Sequence, residues 1–127
     1  MTPARWLAEP EEHDFPAAAD YLSLVLEPAL VTTVVDRLRA ATTVHYKAKD
    51  LLRASRLALL DEDNAHVAKD LKKLRDGEAL SPVLLVRGDL ATDAPLTIAD
   101  GYHRVCASYW VDENIPIPAR LVSLTTH

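Results

Sequence analysis

Two hydrophobic rhythms alternate along the chain, one with the period of a helix and one made of short continuous apolar runs. Asp14-Phe15-Pro16 has the form of a helix start, with Asp14 as an N-cap candidate and Pro16 in the first turn. Ala17 to Leu26 is rich in Ala and Leu and is interrupted by Pro28. From Pro28 to Ala41 the positions Leu30, Val31, Val34, Val35 and Leu38 follow the i, i+4, i+8 spacing of one buried stripe, which predicts a second helix. Residues 1–13 are polar, hold Pro3 and Pro10 with Glu9, Glu11 and Glu12, and are expected to form a loose arm. Residues 1–42 thus read as an arm followed by a helical extension.

The texture changes at Thr42. Thr43 to Lys47 is β-branched and aromatic and predicts a short strand. Asp50 to Leu60 suits a helical turn followed by an extended piece. Asp61-Glu62-Asp63-Asn64 offers N-cap candidates for a helix over 65–76, which Gly77 would end. Val83 to Val86 and Leu96 to Ala99 read as strands, with a turn region from Gly88 to Pro95 between them. A helix over 102–111 follows Asp100-Gly101, then a loop through Pro116 and Pro118, and a last strand over 119–124. The order predicts an α+β domain over 43–127, with a small mixed sheet packed against helices.

Composition narrows the function classes. The 127 residues carry 14 Lys and Arg against 19 Asp and Glu, a net charge of −5. A dedicated nucleic-acid binder needs a basic excess, because phosphate neutralisation supplies most of its affinity. Nucleic acid is therefore disfavoured as a partner. The single cysteine, Cys106, allows no internal disulfide and is expected as a small buried thiol. His45, His66 and His103 are scattered, so no metal ligands are assigned. The absence of a signal-like apolar run at the N-terminus, and of roughly 18 consecutive apolar residues anywhere, makes the cytoplasm the expected location, with no membrane partner.

The candidate chemistry lies where a strand gives way to a helix, at Asp100-Gly101-Tyr102-His103-Arg104. A glycine there permits a sharp turn and close ligand approach. The free N–H groups and dipole of the helix that follows favour an anion, and Arg104 can grip a phosphate with paired hydrogen bonds. On the helix over 65–76, Val67, Leu71 and Leu74 form the core stripe. His66, Lys69 and Lys73 stack on another face at i, i+3, i+7. Asp100 is a hydrogen-bonded turn residue or a partner for Arg104, and Asp100 and Asp63 are the candidate water-activating bases. Trp6 is a docking candidate in the arm. Tyr109 and Trp110 are expected at the rim and core of the sheet packing.

Three blocks extend this picture: Leu80-Ser81-Pro82-Val83-Leu84-Leu85-Val86, then Ile98-Ala99-Asp100-Gly101-Tyr102-His103-Arg104, then Ile115-Pro116-Ile117-Pro118-Ala119-Arg120-Leu121-Val122. In that order, over roughly residues 43–124, they resemble the ParB/sulfiredoxin-like superfamily. The matching turn is Gly-Cys-His-Arg in sulfiredoxins and Gly-Glu-Arg-Arg in ParB proteins, and it holds the phosphates of ATP and CTP respectively. The resemblance implies a nucleotide-binding site at Gly101, Tyr102, His103, Arg104 and Asp100, joined by His66, Lys69 and Lys73. Tyr102 stands at the sulfiredoxin cysteine position, so that enzyme's nucleophile is missing. The expectation is a stand-alone ParB-like domain that binds ATP or CTP with Mg²⁺ carried in on the triphosphate, with slow hydrolysis of the nucleotide as an open question. Two alternatives stand beside it. One is a non-catalytic interaction module that retains the fold and uses residues 14–41 for a protein partner or self-association. The other, ranked lower, is a DNA-binding or nuclease domain.

Overall fold

The computed structural model describes residues 4–124, which fold as an α+β protein. Its elements are β1 (Arg5–Trp6), α1 (Asp14–Leu22), α2 (Pro28–Ala40), β2 (Val44–Lys47), α3 (Ala48–Ser55), α4 (Ala65–Asp76), β3 (Ala79–Leu80), β4 (Val83–Val86), β5 (Thr97–Asp100), α5 (Tyr102–Val111) and β6 (Pro116–Val122), with a short 3₁₀ turn over Leu90–Thr92. The main sheet has the order β2-β6-β4-β5. β6 runs antiparallel to β2 and parallel to β4, and β4 runs antiparallel to β5. A small second sheet pairs β1 with β3 in parallel.

The uninterrupted apolar run of β4 reflects burial on both faces. Val83 and Leu85 point into a core shared with Leu51, Val67, Leu71, Val105 and Ile117, from α3, α4, α5 and β6. Leu84 and Val86 point the other way, against Phe15, Leu22, Val34 and Leu38 of α1 and α2. The helical segment 14–40 therefore covers one face of the sheet. Of its expected stripe, Val31, Val34, Val35 and Leu38 are buried and Leu30 is exposed.

Three local readings change. The arm is not loose: β1 pairs with β3, Leu7 N–H donates to Leu80 O at 2.8 Å, and Trp6 packs on the main core. Asp14 is not the cap of its helix but its first residue, and it is buried. The loop expected around Pro116 and Pro118 is the first half of β6, which ends at Val122. Prolines are tolerated there because β4 begins its pairing with β6 only at Ala119, so at 116 and 118 the strand faces β2 alone.

Helix ends follow local chemistry. The Asn64 side chain caps α4 by accepting from His66 N at 3.0 Å and Val67 N at 3.2 Å. Gly77 closes that helix at φ 74°. Arg120, buried on the α2 side of β6, donates to the carbonyls of Leu38 and Arg39 at 3.2 and 2.7 Å and so satisfies the end of α2. Among the described residues, no helix is long and apolar enough to cross a membrane.

Candidate functional site

Gly101 joins β5 to α5 at φ 114°. A side chain here would be strained by that backbone angle. Its Cβ would also run into the Val83 side chain and come within 3.0 Å of Arg104 Nη2. The glycine thus has a packing reason to be present, whatever approaches the turn from outside. No side chain caps the start of α5. Beside it opens a cleft of about 220 Å³, lined by Asp100, Gly101, His103 and Arg104 from this turn, by Asp70 and Lys73 from α4, and by Ser81 and the 11–14 segment.

Arg104 is buried and bonded within the protein. Nη2 donates to the Asp100 carboxylate, Nη1 donates to the Ser81 carbonyl at 2.9 Å, and Nη1 lies 3.6 Å from Asp14 Oδ2. Asp14 in turn accepts from the Ser81 hydroxyl and from Glu11 N–H at 3.2 Å. Asp100 has its carboxyl pushed above the usual 3.8, chiefly by burial, with Arg104 pulling the other way and Asp14 adding to the rise. This knot ties β5, α5, the start of β4 and the start of α1 to one guanidinium.

The basic residues of the cleft come from α4 and α5, as Lys73 and His103. The His66 and His103 rings lie 4.8 Å apart. Between the basic residues sits Asp70, half-buried and raised above 3.8 by desolvation, against the pull of Arg104, Lys73, His103 and Lys69. Burial, and then the neighbouring His66, lower His103 below its ordinary 6.5, while Asp70 opposes the shift.

Of the residues singled out by sequence, Asp100, Gly101, His103, Arg104 and Lys73 line the cleft together. His66 is joined to them only through His103. Lys69 is exposed and does not line the cleft. Tyr102 turns away, with its hydroxyl donating to Ala58 O. Asp63 stands in the turn before α4, exposed and outside the cleft. Cys106 is buried in the core, and desolvation raises its thiol above 9.0. Sequence reasoning missed Asp14, Asp70 and Ser81. Asp70 carried a signal, since it falls four residues after His66 and three before Lys73. Asp14 and Ser81 carried none, because 67 residues separate them.

Among the described residues, no group of three or more His, Cys, Asp or Glu is placed to hold a metal ion. Comparison with protein-family models, with curated protein sequences and with solved structures found no match.

Proposed function

We propose that the cleft beside Gly101 binds the phosphates of a nucleoside triphosphate, ATP or CTP, in the manner of a ParB/sulfiredoxin-like domain. One observation carries the reading: His103, at the uncapped start of α5, meets Lys73 of α4 across a cleft that also takes in the turn glycine. Helix N–H groups and a convergent cation are the elements an oxyanion needs. At about 220 Å³ the cleft suits a polyphosphate better than a whole nucleotide, so sugar and base would lie outside it. Arg104 serves this reading as a positioning residue, because it is buried and its guanidinium is tied to Asp100 and the Ser81 carbonyl. Among the described residues no group of three or more His, Cys, Asp or Glu is placed to hold a metal, and in this reading Mg²⁺ enters as the counter-ion that the phosphate oxygens would hold. The reading stops at binding: Asp63 is outside the cleft and Asp100 is held by Arg104.

The test is a calorimetric titration of the full chain with ATP and with CTP, each with Mg²⁺, beside Lys73→Ala and His103→Ala. Micromolar binding weakened about tenfold or more by each substitution is the expected result, a loss typical of a charge-assisted contact. No heat from either nucleotide would remove the proposal.

A second reading has its own support. Arg104 is neutralised internally, and the α1–α2 connection exposes apolar groups, with Leu24 82% and Val25 57% accessible. Both fit a scaffold that docks a protein partner or a second copy through residues near 21–30. Sedimentation that is concentration-dependent in the wild type and not in Leu24→Asp would favour it over nucleotide binding.

A further inference from the structure

A separate recess of about 470 Å³ lies at the opposite end of β4 from Gly101. Its apolar surface comes from Leu90, Pro95 and Leu96 in the 87–96 connection and Leu121 of β6, over a floor backed by the buried Leu51 of α3 and Leu85 of β4. The volume falls in the range of pockets that enclose small organic ligands, and the lining is of the usual mostly apolar kind. Leu90, in the 3₁₀ turn at the lip, is 96% exposed. That turn is held in shape: Ala91 N–H donates to Asp89 Oδ1 at 2.9 Å, and Asp89 and Ala94 exchange backbone hydrogen bonds at 2.8 and 2.9 Å. The lip thus holds an apolar side chain out in water beside an apolar recess.

The recess carries charge of both signs. Arg53, Arg56 and Arg87 line it, together with Asp50 and Asp89. Arg56 is paired to Asp93 at 2.6 Å, and one oxygen of the Asp89 carboxylate accepts the Ala91 N–H, which leaves its charge in place. Among the described residues, Arg53 and Arg87 have no carboxylate within 4.0 Å. Guanidinium groups left unpaired beside an apolar surface suit a ligand with an anionic head and an apolar body.

We propose that this recess binds a small amphipathic organic anion. Its apolar part would lie on Leu96 and Leu121, and its charged group would meet Arg53 and Arg87. The site is independent of the cleft beside Gly101, so either can fail without the other.

The probes are anilinonaphthalene sulfonate and its uncharged counterpart N-phenyl-naphthylamine, titrated by fluorescence into the full chain. The sulfonate should bind more tightly. Arg53→Gln with Arg87→Gln should weaken it about tenfold while leaving the neutral dye unchanged, as expected for loss of charge-assisted contacts. Both arginines are exposed, so these variants should keep the fold, checked by unchanged melting temperature. Ala54→Trp, which fills the recess from α3, should abolish binding of both dyes. Equal affinity for the two dyes, sulfonate binding indifferent to the paired arginine substitutions, or sulfonate binding indifferent to Ala54→Trp would each overturn the proposal.

Discussion

The cleft beside Gly101 gathers charges from α1, α4, β5 and α5 and cancels most of them within the protein, whereas the recess at the far end of β4 is apolar and leaves Arg53 and Arg87 without a carboxylate. Both sites contain arginine, but the residue does opposite work in each. Arg104 is buried and holds three chain segments together. The Arg87 side chain is exposed and makes no ion pair among the described residues. A motif that ends in arginine therefore does not by itself show whether the guanidinium faces a ligand or the fold.

That contrast can be broken most forcefully by removing each arginine in turn. Arg104→Ala leaves the buried Asp14 and the half-buried Asp100 as neighbouring carboxylates without their cation. Stranding a buried charge typically costs about 3–5 kcal/mol, so urea unfolding should shift by that order. Arg87→Ala, on the exposed rim, should fall within about 0.5 kcal/mol of wild type. Similar losses for the two variants would show that the knot at Arg104 is not structural. The same reasoning makes Arg104→Ala a poor test of phosphate binding, and favours Lys73 and His103 for that purpose.

The next effect in size belongs to the glycine. Gly101→Ala must hold φ 114° and push against Val83. Left-handed strain alone is worth on the order of 1–3 kcal/mol. If the Val83 contact adds to it, Val83→Ala should lessen the cost of the alanine in a double-mutant cycle of thermal unfolding. A purely additive cycle would leave backbone strain as the whole cause.

The elements were more legible than the interactions between them. α4 and α5 begin and end where the capping residues and the apolar spacing place them, because Asn64, Gly77 and Gly101 act locally. β6 was shortened by a rule about prolines that is relaxed where a strand is paired on one side only, and before Ala119 β6 pairs with β2 alone. β1 was missed because a two-residue strand has no periodicity to detect. At the candidate site, Gly101, His103 and Arg104 could be named from one local motif. The partners that decide what Arg104 does come from distant parts of the chain: Asp14 and Ser81 signal nothing until the fold brings them together. The second recess had no motif at all, since its lining is drawn from β2, α3, β4, β6 and the 87–96 connection.

Protonation separates the two sites again. His103 is held below its ordinary 6.5 by burial and by His66, so near pH 7 it is neutral in the free protein. Bound phosphate would favour the charged form, and nucleotide affinity should therefore rise as pH falls from about 7.5 to 6, by roughly five- to tenfold. Calorimetry at each pH, repeated with His103→Gln, checks this, and a pH slope retained in that variant would assign the effect to His66 or to the phosphate. The linkage sign for stability is the reverse. A lowered folded value means that the unfolded chain takes up the proton more readily, so His103 stabilises the fold at neutral pH. That contribution is lost as pH falls through 6.5 and below. Anion binding at the second recess rests on arginines and should not change over this range.

The smallest expected effect concerns Asp70, the acid among the cations of the first cleft. Its carboxylate is half-buried, and desolvation lifts it above 3.8 even with Arg104, Lys73, His103 and Lys69 nearby. As a carboxylate it opposes any second anion entering beside Lys73. Asp70→Asn keeps the shape, removes that charge and frees Lys73 and His103 from their intramolecular counter-ion. Nucleotide affinity should increase roughly two- to fivefold, the range of a partly screened charge interaction. The sulfonate dye at the second recess should be unaffected. If Asp70→Asn instead weakens nucleotide binding, Asp70 must be holding Lys73 and His103 in place for the ligand. The two possibilities separate on salt: relief of repulsion fades as ionic strength rises, whereas loss of positioning persists.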